Sequence, residues 1–202
     1  MGKILILNGS PRAPKSNSKR YAEIFMRHCT AETDYRNITK KNHEELCVAL
    51  SGYTDVLFAF PLYADSLPVG FLNFLKALEA CPPAHKPVVS ILINCGFLEA
   101  EQSEVAIRMM RLFCRRNGYV MGSVLMLGSG EAILDTPFKY VATRNIRRLA
   151  QSMVSGRYHT LSATMPLSKY LFRLAADIYW TFYGKRFGTT RRQMQTMEVE
   201  GK

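Results

Sequence analysis

Ile4-Leu5-Ile6-Leu7-Asn8-Gly9-Ser10-Pro11-Arg12-Ala13-Pro14-Lys15-Ser16-Asn17-Ser18 decides how the rest of the chain reads. Four apolar residues in a row are of strand length, and nothing polar interrupts them, so the strand is expected to be buried on both faces. A loop of small and hydroxyl residues follows, and a helix-like stretch begins directly after Ser18. A buried strand, such a loop and a helix start together make a cradle for a phosphate. Backbone N–H groups point out of the first helical turn, the macrodipole adds partial positive charge there, and the serine hydroxyls supply further donors. Arg12 is placed to close the cage with a charge-assisted bond. Capping is the competing explanation, because Ser16, Asn17 and Ser18 are all preferred N-cap residues. A cap needs one of them, which leaves the remaining polar groups before and after the prolines unexplained.

Outward from this segment, apolar runs alternate with helix-like stretches. Helix is expected over Lys19–Cys29, Glu44–Leu50, Val69–Leu78, Ala100–Arg116 and Phe138–Val154. Strands are expected over Ile4–Leu7, Asp34–Ile38 (a short edge strand), Asp55–Phe60, Pro87–Ile93 and Tyr119–Leu127. Apolar strands separated by helices indicate a parallel sheet covered on both faces, hence a three-layer α/β domain. Ser155–Pro166 reads as a linker. The domain is therefore expected over residues 1–155, with a C-terminal extension over 156–202.

The chain has 202 residues, of which 48% are hydrophobic, enough for one domain with a substantial core. No apolar run approaches the roughly 18 residues needed to span a bilayer. The N-terminus reads as a strand and not as a leader, so a cytoplasmic location is expected. The five cysteines, Cys29, Cys47, Cys81, Cys95 and Cys114, are scattered and contain no Cys-x-x-Cys pair. That argues against structural zinc or a cluster and fits a reducing compartment. The four histidines show no ligand spacing, so no metal is expected. The net charge of +11 is uneven: residues 1–138 hold 15 basic against 13 acidic side chains, residues 139–202 hold 12 against 3. The basic C-terminal third suits anionic phosphates, acidic lipid or nucleic acid, or is simply a solvated tail.

In parallel sheets of this kind, ligands sit beyond the carboxyl ends of the strands. After the third expected strand comes Pro61-Leu62-Tyr63-Ala64-Asp65-Ser66-Leu67-Pro68. This is an apolar loop able to present Leu62, Tyr63 and backbone amides to a flat ring, or else to fold into the core. After the fourth comes Asn94-Cys95-Gly96, where Gly96 permits a close backbone approach and Asn94 can bond a ring edge. A plain turn with a capping Asn explains the same residues. After the fifth, Gly128-Ser129-Gly130-Glu131 is a flexible turn and a weak signal. Together these loops suit a phosphate at one end and a planar heterocycle at the other, the shape of flavin mononucleotide (FMN).

The first loop, Asn8–Arg12 with Ser16–Ser18, paired with Pro61–Pro68, resembles the NADPH-dependent FMN reductase family of flavodoxin-like proteins over roughly residues 1–155. The resemblance implies a five-stranded parallel sheet in the order 2-1-3-4-5. It implies FMN phosphate held by Ser10, Arg12, Ser16, Asn17 and Ser18. The flavin ring would lie against Pro61, Leu62 and Tyr63, with Asn94, Cys95 and Gly96 on the other loop. It further implies NADPH or NADH as co-substrate, hydride passing through FMN to a small acceptor such as a quinone or free flavin, and a homodimer. A non-catalytic flavodoxin-like electron carrier is the alternative, though carriers of that kind tend to be acidic. No side chain need act as acid or base, so no catalytic residue is assigned. Cys95 reads as a small buried residue and not as a nucleophile. The sequence lacks the clustered cysteines of iron–sulfur flavoproteins, and the basic extension lies outside the shared core.

Within the extension, Leu167–Tyr183 reads as an amphipathic helix. Leu171, Leu174, Ala175, Ile178, Tyr179 and Phe182 make one wide apolar face, with Lys169, Arg173, Lys185 and Arg186 basic. It suits packing on its own domain or a second subunit, an anionic membrane surface, or a substrate lid. No nucleic-acid motif is present, so nucleic acid is not an expected partner. Gly188–Lys202 is expected to be disordered.

Overall fold

The computed structural model describes residues 2–196. It divides into two compact units, the first ending at Met165 and the second beginning at Pro166. In the first unit, strands and helices alternate: β1 (Lys3–Asn8), α1 (Asn17–His28), β2 (Glu32–Asn37), α2 (His43–Ala49), β3 (Asp55–Pro61), α3 (Val69–Ala80), β4 (Val88–Asn94), α4 (Glu104–Asn117), β5 (Met121–Leu127), α5 (Lys139–Ser155) and β6 (Thr160–Ala163). The second unit holds α6 (Lys169–Arg186) and the single turn α7 (Arg191–Met194). No helix among the described residues is long and apolar enough to cross a membrane.

The sheet order is β2-β1-β3-β4-β5-β6, and every pair is parallel. The expected five-stranded sheet is therefore corrected to six strands. The additional strand, β6, falls inside the stretch read as a linker. It is short, and Thr160-Leu161-Ser162-Ala163 has no apolar run to announce it. It forms because β5 offers an open edge, with Val124 to Leu127 in register with Thr160 to Ala163. The opposite edge strand, β2, is polar along its length. Lys3 on β1 bridges Glu32 and Asp34 at 2.9 and 3.0 Å, and such charges also discourage pairing with another chain.

The central strands are buried on both sides, as uninterrupted apolar runs require. Leu5, Leu7, Val56, Phe58, Phe60, Ile91 and Ile93 face the layer formed by α2, α3 and α4. Ile4, Ile6, Leu57, Ala59 and Leu92 alternate onto the other face, where α1 and α5 lie side by side. Phe71 of α3 wedges between Phe58 and Phe60, with ring centroids 5.0 and 4.6 Å away. A Cβ on Gly9 would sit 3.0 Å from the Phe71 ring, so any larger residue after β1 would push Phe71 by a few tenths of an ångström.

Four buried side-chain polar atoms among the described residues lack a hydrogen-bond partner, in His43, Asp55, Ser103 and Tyr119. The Tyr119 hydroxyl is buried without a hydrogen-bond partner, and burial pushes its pKa up to about 12. The hydroxyl's lost hydration is not repaid by any bond, so Tyr119→Phe is expected to stabilise the protein by about 1 kcal/mol. Urea unfolding followed by circular dichroism checks this. A destabilised variant would mean that the hydroxyl has a partner in solution.

Candidate functional site

The strand order reverses at β1, which has β2 on one side and β3 on the other. Loops leaving neighbouring strands in opposite directions open a crevice at their carboxyl ends. Four loops meet around this end of the sheet: residues 9–16 after β1, 62–68 after β3, 95–99 after β4 and 128–132 after β5.

The loop after β1 is organised by Asn8, the last residue of the strand and fully buried. Its Oδ1 accepts from the Ser10 amide at 2.9 Å. Its Nδ2 donates toward Tyr35 Oη at 2.9 Å, Ser16 Oγ at 3.2 Å and Asn37 Oδ1 at 3.3 Å. Ser16 is the N-cap of α1, its Oγ accepting from the Lys19 amide at 3.2 Å, so the capping explanation holds for this residue. Ser16 thus receives two bonds and keeps its hydroxyl proton to donate. The amides of Asn17 and Ser18, in the first helical turn, have no acceptor among the described residues.

The side chains named from sequence separate into those that face the loop and those that do not. Arg12 and Asn17 face it, and both are held by one carboxylate. Arg12 Nη2 donates to Glu131 Oε1 at 2.9 Å. Asn17 Nδ2 donates to the Glu131 carbonyl at 3.1 Å and toward Oε2 at 3.4 Å. Ser18 turns away: it is buried, and its hydroxyl donates to Asn94 Oδ1 at 2.9 Å. Ser10 is also buried, its Oγ accepting from the Arg12 amide. On the outer side of the α1 N-terminus, Arg12, Lys15, Ser16, Asn17, Lys19 and Arg20 line an open cleft of 340 Å3. Arg20 is clamped by Asp135 through two bonds of 2.9 and 2.6 Å, and this pairing holds the Asp135 carboxyl below its usual range.

Pro61 ends β3 opposite Asn94. The backbone amides expected to serve a ligand here are already engaged. The Leu62 amide donates to the Asn94 carbonyl at 2.8 Å and the Tyr63 amide to the Ser66 carbonyl at 3.0 Å. Residues 63–66 close a tight turn with Ala64 and Asp65 both at positive φ, 48° and 56°. The Tyr63 ring is exposed, and so is Phe97 on the next loop. Each loop thus presents one aromatic surface, and Phe97 had no separate signal in the sequence.

Cys95 is buried, its thiol pKa is pushed up by that burial, and its Sγ lies 3.8 and 3.7 Å from the carbonyls of Phe97 and Glu99. It stays a protonated, inward-facing thiol. A Cβ on Gly96 would meet only Glu131 Cγ at 3.7 Å, ordinary contact, so no close approach depends on this glycine. The crowded glycines are instead Gly128 and Gly130. The loop expected to be flexible is strapped to its neighbours: Gly128 N–H to the Ala163 carbonyl at 2.8 Å, Gly130 N–H to the Cys95 carbonyl at 2.6 Å, and Tyr21 Oη donating to the Gly130 carbonyl at 2.8 Å. Burial drives the Tyr21 pKa well up, which keeps the phenol a donor. Tyr21, Glu131 and Asp135 were not identified from sequence, because their partners lie more than a hundred residues away.

The same architecture occurs in solved flavodoxin-like proteins. An NAD(P)H:quinone oxidoreductase from Methanothermobacter marburgensis superposes with a TM-score of 0.58 at 12% identity, covering 76% of this chain and 97% of that one. A flavodoxin from Streptococcus pneumonia TIGR4 gives 0.56 at 13%, covering 76% and 99%. An azoreductase from Bacillus anthracis gives 0.54 at 14%, covering 74% and 99%. At such identities the likeness establishes the fold, a flavodoxin-like α/β sheet, which is the fold the sequence resemblance implied. Neither a protein-family model nor a curated protein matches the chain.

Proposed function

We propose that this protein is an FMN-dependent oxidoreductase that takes hydride from NADPH or NADH and delivers it to a small acceptor such as a quinone. One observation carries the reading. At the carboxyl end of β1, beside the start of α1, Arg12 and Asn17 already hold an oxyanion, the Glu131 carboxylate. Side chains that grip a carboxylate have the donor geometry and charge to grip a phosphate. Two amides with no acceptor among the described residues, the Ser16 hydroxyl proton and the nearby Lys15 add to the same field, while Lys19 is offset by Glu23 at 3.9 Å in the same cleft. The reading also draws on the flavodoxin-like fold and on solved neighbours described as quinone and azo reductases.

On this reading Arg12, Ser16, Asn17 and the amide of Ser18 hold the FMN phosphate. Pro61, Leu62, Tyr63 and Phe97 supply apolar and aromatic surface for the ring, with Asn94, Cys95 and Gly96 forming the backbone wall between them. Ser10 and the Ser18 side chain support the loop from beneath. FMN, when bound, supplies the hydride-accepting and hydride-donating chemistry. The chain's own work is placement: it neutralises the phosphate, orients the ring and keeps the buried Cys95 thiol protonated.

The test begins with the purified protein. A yellow flavin spectrum that bleaches on anaerobic addition of NADPH or NADH supports the proposal. Colour without bleaching points to an electron carrier, and failure to take up FMN ends the reading. Substitutions sharpen it. Arg12→Ala is expected to weaken FMN binding by about tenfold or more, since a charged hydrogen bond contributes about 1.5–3 kcal/mol. Glu131→Gln is expected to tighten binding by about two- to fivefold, because it releases an exposed ion pair of about 1 kcal/mol or less that competes for Arg12. Titration of flavin fluorescence measures both. Weaker binding in Glu131→Gln would make Glu131 a support for Arg12 and not a competitor.

A further inference from the structure

The second unit carries a surface that the flavin reading leaves unused, and the inference drawn from it stands independently of that reading. Helix α6 is capped by Ser168, whose Oγ accepts from the Leu171 amide, and ends on Lys185 and Arg186. Its polar residues recur every fourth position: Lys169, Arg173, Asp177, Thr181 and Lys185. At 100° per residue they span about 160° of the helix, with Tyr170 and Trp180 interleaved among them. Leu171, Leu174, Ile178, Tyr179, Phe182 and Tyr183 span about 180° on the other side, with Lys185 just inside one edge and Arg186 within the arc at the last turn. Each of these six is between 43% and 64% exposed. A stripe of roughly 100° suffices for a helix lying on one protein face, so this arc is about twice as wide as such packing needs.

Charge selects the occupant. Residues 166–202 contain seven basic side chains and three acidic. Residues 1–165 contain 20 basic and 13 acidic, so a second copy of the chain and the α/β unit are both positively charged as well. Like charge opposes both as cover for α6, whereas an anionic bilayer is complementary. The edges of the apolar arc fit an interface too. Lys185 and Arg186 at its last turn can lay their stems on apolar surface with their charged heads in the headgroup layer, and Trp180 lies between Lys169 and Arg173 on the basic side of the helix. Beyond the helix, Arg191 and Arg192 lie in the exposed turn α7. We infer that α6 lies in the surface of an anionic membrane, its apolar arc in the acyl boundary and its basic residues among the headgroups.

Trp180 is the only tryptophan in the chain, so its emission reports on this helix alone. The full-length protein is mixed with phosphatidylcholine vesicles, and with the same vesicles containing roughly 30% phosphatidylserine. The expected result is a blue shift of Trp180 emission, with about tenfold more protein sedimenting with the anionic vesicles than with neutral ones. High salt should weaken both effects. Ile178→Asp should abolish the shift. The pair Arg191→Glu and Arg192→Glu, which touches no apolar residue, should lower sedimentation at unchanged far-ultraviolet circular dichroism. An emission that is blue before vesicles are added and does not change would overturn the inference in favour of packing within the chain. A shift that grows with protein concentration alone would overturn it in favour of a second copy. Equal binding to neutral and anionic vesicles, or no shift with either, would also overturn it.

Discussion

Asn8→Ala is expected to lower stability by about 3 kcal/mol and to weaken FMN binding by more than tenfold, the largest loss at the site from any single side chain. Asn8 touches no ligand in the proposed arrangement, so the effect is indirect. Truncation leaves the buried Ser10 amide without its acceptor and removes a donor shared by Ser16, Tyr35 and Asn37. A stranded buried donor costs about 1–3 kcal/mol, and the small cavity adds to that. The loop that presents Arg12 then loses the bond fixing its first turn. Chemical denaturation and flavin titration on the same sample check both halves. A variant that lost stability but bound FMN normally would show that Arg12 finds its place without this loop.

Gly128→Ala is expected to be nearly as damaging, by about 2–3 kcal/mol, while Gly96→Ala should be close to neutral. At Gly128 an added Cβ would fall 2.5 Å from the Leu98 carbonyl oxygen and 2.7 Å from Thr164 Oγ1. The first of these is backbone and can move only by displacing the loop after β4. At Gly96 the nearest atom is a flexible glutamate stem. Thermal unfolding of both variants decides the matter. Equal midpoints would mean that the loop after β5 yields more easily than its hydrogen bonds suggest.

The segment that opens the chain was readable because its determinants are local. An apolar run makes β1, and Ser16 caps a helix within the same few residues. The alternation of runs led directly to a parallel three-layer fold. What escaped notice depends on distance or on context. β6 exists only as a partner for β5, and nothing within four mixed residues says so. The Arg12–Glu131 pair joins positions 119 apart. Glycine as a residue type gives no sign of crowding, so Gly96 drew attention that belonged to Gly128 and Gly130. Ser18 is instructive in another way. It shares a helical stripe with Tyr21, Ala22 and Phe25, all buried, so its spacing marks it as inward-facing although its chemistry suggested a ligand.

The opening turns of α1 also constrain how the crevice can move. Ser18 fastens the helix to the end of β4, Tyr21 to the turn after β5, and Ser16 to the end of β1. These three tethers make the helix a crossbar bolted to three neighbouring posts. Neither end of the crevice can loosen alone, and whatever steadies one end has already met part of the ordering cost at the other.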